Sequence, residues 1–85
     1  MKIILDKQAK KDLNYFSKNN KKILEKIFLI FDDIVKNPTV GIGKPEKLRY
    51  ELSGCWSRRI NAEHRVVYVI GKNDVRILSC RYHYK

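Results

Sequence analysis

The sequence predicts an α+β sandwich in which a helical hairpin packs on one face of a twisted antiparallel β-meander. Two observations support this fold class. Residues 7–36 carry apolar side chains at the spacing of amphipathic helices, whereas residues 47–82 form short alternating or apolar runs with hairpin-sized connections. With 85 residues, 44% of them hydrophobic and 33% charged, we expect one globular domain over 1–85 with a modest core.

The N-terminal half is expected to form a short strand followed by two helices. The apolar run KIIL, residues 2–5, predicts a first strand that adds to the sheet, and Asp6 can cap the next helix. One apolar stripe predicts that helix over residues 7–17. A longer stripe predicts a second helix over residues 21–36, with Asn20 as its cap. The shared apolar face of this hairpin needs a sheet to cover it.

The C-terminal half is typical of β-structure after a loop, TVGIGKPE, that is rich in glycine and proline. Four candidate strands follow, namely KLRYEL (47–52), WSRRIN (56–61), RVVYVI (65–70) and VRILSCRY (75–82). Because their connections are short, consecutive strands must be antiparallel neighbours.

The charge balance restricts the class of partner. Nineteen lysines and arginines against nine aspartates and glutamates give a net charge of +10, with a pI near 9.8. Such a density favours a polyanionic partner, namely a nucleic acid, a ribosome, an acidic protein or an anionic membrane. A merely solvated cationic surface is the alternative. No apolar run approaches the roughly 20 residues that cross a bilayer, and no signal peptide is evident, so we expect a cytoplasmic protein.

Arginines interleave with aromatic and apolar residues in the sheet half of the chain. They are Arg49, Arg58, Arg59, Arg65, Arg76 and Arg81. Because the planar guanidinium binds phosphate oxygens in a bidentate manner, the open face of the sheet is expected to contact phosphates. The alternative is that antiparallel strands simply tolerate arginine on a solvated face.

The C-terminal motif CRYHYK places His83 between two tyrosines. Strict alternation would put Ile77, Ser79, Arg81 and His83 on one face of the last strand and Leu78, Cys80, Tyr82 and Tyr84 on the other. Histidine titrates near neutral pH and can therefore give or take a proton. An ordinary surface histidine is the simpler interpretation.

A metal-free site that cuts RNA needs a base, an acid and cations for the charge on the phosphorane. The arginines can supply the cations and His83 one proton role. The other proton role needs a carboxylate, and the candidates outside the helices are Glu46, Glu51, Glu63 and Asp74. The rigid Gly43-Lys44-Pro45 junction before Glu46 favours it only slightly over Glu63. The cysteines and histidines lack the spacing of a zinc site, so no metal or cofactor is expected.

Three segments in order carry a family resemblance: GKPEKL (43–48), LSGCWSRRINAEHRVVYVI (52–70) and CRYHY (80–84). They resemble the Txe/YoeB family of type II toxin–antitoxin toxins, in the RelE superfamily. The resemblance implies a microbial-RNase-like α+β sandwich and a single RelE/YoeB-like toxin domain. It also implies a ribosome-dependent endoribonuclease that cuts mRNA in the ribosomal A site and so inhibits translation.

The resemblance also implies a role for individual residues. Glu46 matches the family's general base, His83 its general acid, Arg65 the arginine that holds the scissile phosphate, and Tyr84 a tyrosine that orients the substrate. Phosphate contacts are expected from Arg49, Arg59 and Arg81, with Glu63 as the reserve carboxylate. The family often has lysine where this chain has Arg49, and Lys85 extends past its usual tyrosine ending.

The implied partners are mRNA on the ribosome and a cognate acidic antitoxin with a DNA-binding N-terminal part. A homodimer is possible, and no membrane is expected. Two alternatives remain: a module that binds RNA or the ribosome and blocks translation without cutting, and a gyrase-directed toxin of the same superfamily fold.

Overall fold

Two helices pack against one face of a five-stranded sheet in the computed structural model, which describes residues 1–81. The elements are β1 (Lys2–Leu5), α1 (Lys7–Asn19), α2 (Lys21–Lys36), β2 (Glu46–Lys47), a 3₁₀ turn (Tyr50–Leu52), β3 (Trp56–Arg59), β4 (Arg65–Ile70) and β5 (Asp74–Ser79). The predicted α+β class is confirmed.

The helix caps differ in how they use their side chains. The Asn20 carboxamide accepts a hydrogen bond from the Ile23 backbone N–H at 3.2 Å, as expected for the cap of α2. Asp6 precedes α1, but its side chain makes no capping bond. Its carboxylate instead accepts a hydrogen bond from Arg76 at 2.8 Å, so the predicted side-chain cap is wrong. A salt bridge to β5 replaces it.

The strand order of the sheet is β1-β5-β4-β3-β2. Strands β2 to β5 form the predicted antiparallel meander, and β1 adds to it by pairing with β5 in parallel, which makes the sheet mixed. The strand β5 is therefore an interior strand. The last described residues, Cys80 and Arg81, directly follow it.

The predicted strand over residues 47–52 is wrong for most of its length. Only Glu46 and Lys47 pair with β3. Tyr50 has φ near +59°, a left-handed conformation outside the extended region of regular strands, and the backbone closes a turn there. The apolar residues that suggested a strand, Leu48 and Leu52, instead join a small cluster with Val67 on the face away from the helices.

A β-bulge in β5 breaks the alternation that the sequence suggests. Val67 pairs with Ser79, but the next residue, Tyr68, pairs with Ile77, so Leu78 is the extra residue. As a result, Ile77 and Cys80 both lie in the core on the helix side, although strict alternation assigned them to opposite faces.

The main core lies between the sheet and the helices. Its wholly buried members include Ala9, Phe16, Ile27, Ile30, Ile34, Val66, Tyr68, Val75, Ile77 and Cys80. Within residues 1–81, no helix combines the length and apolar character needed to cross a bilayer. The face of the sheet away from the helices, here called the open face, carries the candidate site.

Candidate active site

An acidic and a basic side chain meet on the open face although their strands are not neighbours. Glu46 of β2 and Val67 of β4 both pair with Ser57 of β3, and Arg65 lies two residues before Val67 on the same face. The Arg65 Nη1 atom lies 3.9 Å from the Glu46 Oε1 atom. The same nitrogen donates a hydrogen bond to Ser57 Oγ at 3.1 Å.

The two charged groups differ in their access to solvent. The Glu46 side chain is 54% exposed, whereas the Arg65 side chain is 21% exposed. Ser57 beneath them is wholly buried. The carboxylate can therefore reach a ligand that approaches from solvent, while the guanidinium stays close to the sheet with donors left for an anion.

Arg59 adds a second cation beside Arg65. The two arginines are directly opposed in the pairing of β3 with β4. Like charges at such positions repel, and an anion placed between them relieves that repulsion. The Arg59 Nε–H donates to the Asn61 carbonyl at 3.3 Å, which holds the side chain along the strand. This pair of guanidinium groups is suited to a phosphate.

Arg49 lies at the rim of the same region. It directly precedes the 3₁₀ turn, and its side chain is exposed. Together with Glu46 and Tyr50 it lines an open groove formed by the single segment 46–52. Arg49 is therefore within the same stretch of surface as the candidate carboxylate.

Glu63 and Arg81 lie elsewhere. The Glu63 carboxylate is 66% exposed and 3.6 Å from His64 Nε2. The Arg81 guanidinium stacks over the ring of Tyr15 on α1, 3.4 Å from its centroid. Glu63 and Arg81 both line a depression beside α1. The structure thus brings Glu46, not Glu63, into contact with Arg65.

His83 and Tyr84 lie outside the described residues. The chain that leads to them is anchored through Cys80, whose backbone N–H donates to the buried Asp12 carboxylate at 2.9 Å. Burial, with a smaller contribution from Asp12, strongly raises the pKa of the Cys80 thiol. Cys55 and Cys80 are both buried free thiols, and residues 1–81 contain no cluster of three or more side chains arranged to hold a metal.

Arg58 does not belong to the open face, and its assignment to a phosphate-binding face is wrong. Its side chain is completely buried on the helix side. Its guanidinium donates to the Tyr68 hydroxyl, the Asp33 carboxylate and the backbone carbonyls of Asn37, Val40 and Ile42. The hydrogen bond from Arg58 lowers the pKa of Asp33, and burial raises the pKa of Tyr68. These contacts tie the loop before β2 to the sheet.

This buried network positions the loop that leads to Glu46. The Asp33 carboxylate also accepts the Ile42 backbone N–H at 3.0 Å. Further along, the Gly43 carbonyl accepts the Arg59 backbone N–H at 2.7 Å. The adjacent arginines 58 and 59 carried a usable signal, since neighbours in a strand face opposite sides and one of them had to point at the helices.

Comparison with known proteins places the sequence in a family. The family described as YoeB-like toxin of bacterial type II toxin-antitoxin system matches residues 5–84. Toxin YoeB of Synechocystis sp. is 49% identical over 85 residues, covering 100% of this chain and 99% of the relative. Toxin YoeB of Escherichia coli K12 is 43% identical over 84 residues, covering 99% and 100%.

Solved structures show the same fold. The YoeB/ParE toxin from Agrobacterium tumefaciens superposes with a TM-score of 0.94 at 35% identity, covering 99% of this chain and 100% of that one. A chain of the YoeB-YefM complex from Staphylococcus aureus superposes with a TM-score of 0.90 at 48% identity, covering 99% and 98%. The fold and the relatives define the class of protein, a toxin of the RelE superfamily. Within it, the chain belongs to the YoeB-like toxin family of bacterial type II toxin–antitoxin systems.

Proposed function

We propose that this protein is a ribosome-dependent endoribonuclease that cuts mRNA in the ribosomal A site and so inhibits translation. The observation that carries the proposal is the Glu46–Arg65 pair, a solvent-accessible carboxylate 3.9 Å from a guanidinium on the open face. A base beside a phosphate-binding cation is what attack by a neighbouring hydroxyl on phosphorus requires. The whole chain, residues 1–85, acts as one toxin domain in the cytoplasm.

In the proposed reaction, the Glu46 carboxylate takes the proton of the RNA 2′-hydroxyl, and the resulting oxygen attacks the adjacent phosphorus. Arg65, aided by Arg59, stabilises the charge on the phosphorane. His83 protonates the departing 5′-oxygen, and Tyr84 orients the substrate. The products are a 2′,3′-cyclic phosphate and a 5′-hydroxyl. Each proton transfer contributes about 10²–10⁴-fold to the rate.

The supporting cations act at different distances from the reacting phosphorus. Arg49, on the groove with Glu46, is assigned to a neighbouring phosphate of the message. Arg81 is assigned a weaker, long-range role because its guanidinium stacks on Tyr15. The scheme employs side chains of this protein alone, without a cofactor.

The proposed inhibitor is an acidic antitoxin with a DNA-binding N-terminal part. The net charge of +10 favours binding of an acidic segment. The relative from Staphylococcus aureus is described in a YoeB-YefM complex and, separately, as a YoeB dimer. By analogy, this chain binds its own antitoxin and forms a homodimer.

Primer extension on an mRNA translated in a purified system tests the proposal. Wild-type protein is compared with Glu46→Gln and His83→Gln, and the end chemistry of the fragments is determined. New 5′ ends within the A-site codon that are lost in the variants would support the nuclease. Stalled ribosomes on intact message with all three proteins would establish the non-cleaving translation blocker instead.

A further inference from the structure

Ser57 occupies the centre of the candidate site without contacting solvent. Ser57 is wholly buried, and it lies in β3 between its pairing partners Glu46 and Val67. Its hydroxyl oxygen accepts the hydrogen bond from Arg65 Nη1 at 3.1 Å. A hydroxyl in such a place needs a partner, because an unbonded buried polar group costs free energy.

The size of Ser57 matters as well as its hydroxyl. Glu46 and Arg65 reach each other from the two strands that flank β3, so their side chains must pass over the residue between them. A small side chain at this position leaves that space open. A hydroxyl there adds a fixed acceptor for one arm of the guanidinium.

We propose that Ser57 is a positioning residue that holds the Arg65 guanidinium beside Glu46 in the orientation needed to stabilise the phosphorane. This inference rests on the proposed function. Arg65 has several rotatable bonds, and its contact with Glu46 is long for a salt bridge. The contact with Glu46 alone therefore does not fix the orientation of the guanidinium group. The bond to Ser57 fixes one nitrogen and leaves the remaining N–H groups for phosphate.

Loss of the hydroxyl should therefore affect the chemical step more than binding. In Ser57→Ala the guanidinium keeps its charge, and KM is expected to stay within about twofold of the wild type. The rate constant kcat is expected to fall roughly 10- to 100-fold, the range expected for one hydrogen bond to a charged group. Ser57→Thr keeps the acceptor and is expected to recover most of that loss.

The chain offers a matched control in Ser79. Ser79 of β5 pairs with Val67 in the same cross-strand row of the open face, two strands further from Glu46 than Ser57 is. Ser79→Ala removes a hydroxyl from the same sheet, so cleavage should continue at the wild-type rate. Thermal unfolding of all variants checks that each remains folded.

A single-turnover assay on programmed ribosomes gives the kinetic test. Arg65→Ala and Ser57→Ala are measured separately and together, and Ser57→Ala should add little in the Arg65→Ala background if Ser57 acts through Arg65. A full additional loss in the double variant would overturn the inference, as would wild-type kcat in Ser57→Ala. Failure of the wild type itself to cut would overturn the proposed function, and this inference with it.

Side-chain NMR gives a readout that does not depend on activity. Rotation of the Arg65 guanidinium is expected to be slow in the wild type and in Ser57→Thr but fast in Ser57→Ala. Equal rotation rates in the wild type and Ser57→Ala would show that the hydroxyl does not position Arg65, even if cleavage were normal.

Discussion

The Glu46 carboxylate and the Arg65 guanidinium lie 3.9 Å apart although strand β3 separates their own strands. Their contact depends on the register of two strand pairings, β2 with β3 and β3 with β4. Correct placement of β2 is therefore as important to the site as the two charged residues themselves. The contacts that fix β2 and the end of β5 can each be tested by substitution.

Arg58→Lys should lower the free energy of unfolding by about 2–4 kcal/mol. The wild-type guanidinium donates hydrogen bonds to five acceptors. A lysine ammonium group has only three N–H donors, arranged differently, so some carbonyls of the loop would lose their hydrogen-bond donors. Urea unfolding measures the change. Arg59→Lys is the control, and this exposed neighbour should change stability by no more than about 0.5 kcal/mol. Equal losses in the two variants would contradict the inference that the buried Arg58 side chain clamps the loop before β2 to the sheet.

Acid should weaken this clamp through Asp33. Arg58 holds the pKa of the Asp33 carboxyl below its ordinary value of 3.8, so the folded protein binds this proton less readily than the unfolded chain. The associated stability is complete above that ordinary value and is lost as pH falls through the lower, folded pKa. Unfolding measured from pH 7 to pH 2 should show wild type losing stability relative to Asp33→Asn only at the acid end. Parallel curves for the two proteins would refute this coupling.

Asp12→Ala should destabilise the protein by about 1–3 kcal/mol, because the backbone N–H of Cys80 would lose its buried acceptor. The loss would also loosen the end of β5, from which the chain continues in sequence to His83. Denaturant unfolding provides the stability change, and hydrogen exchange at Cys80 shows whether the strand end opens. Asp32→Ala, an exposed carboxylate on α2, is the control and should remain within about 0.5 kcal/mol of wild type. Unchanged protection of Cys80 in Asp12→Ala would exclude the anchoring role.

Alanine substitutions at two glycines with positive φ distinguish the cost of backbone strain from the cost of a steric clash. Gly41 has φ near +134°, and an added Cβ would collide with the Asp33 carboxylate that Arg58 binds. Gly54 has φ near +94°, but nothing lies within 4 Å of an added Cβ. Gly54→Ala should cost about 1 kcal/mol from strain, and Gly41→Ala should cost roughly 2–4 kcal/mol because it also disrupts the clamp. Similar melting temperatures for the two variants would contradict this difference.

Local pattern was sufficient for the helices and for most of the meander. The bounds of α2, Lys21–Lys36, agree with the prediction because a capping residue, Asn20, and a periodic apolar stripe act within the same few residues. For residues 47–52 the same reasoning wrongly predicted a strand. Its apolar residues serve a small cluster against β4, and the left-handed Tyr50 that makes this possible has no signature in the sequence.

The candidate site needed information that no local pattern contains. The residue pattern alone left Glu46 and Glu63 nearly equal as carboxylates. The family resemblance favoured Glu46, and the register of β2 places Glu46 beside Arg65. Likewise, alternation required one of Arg58 and Arg59 to face the helices but did not say which. The extra residue at Leu78, which moves Cys80 into the core, also depends on how β5 pairs with β4.

The central claim is that Glu46 beside Arg65 provides the base of an RNA-cutting site. The most direct test is the single-turnover rate at which ribosome-bound mRNA is cut by wild type, Glu46→Gln and Glu63→Gln. Each variant exchanges one exposed carboxylate for a carboxamide of the same size. We predict a loss of about 10²–10⁴-fold for Glu46→Gln and a rate near wild type for Glu63→Gln. Efficient cutting by Glu46→Gln, with the loss in Glu63→Gln instead, would contradict it.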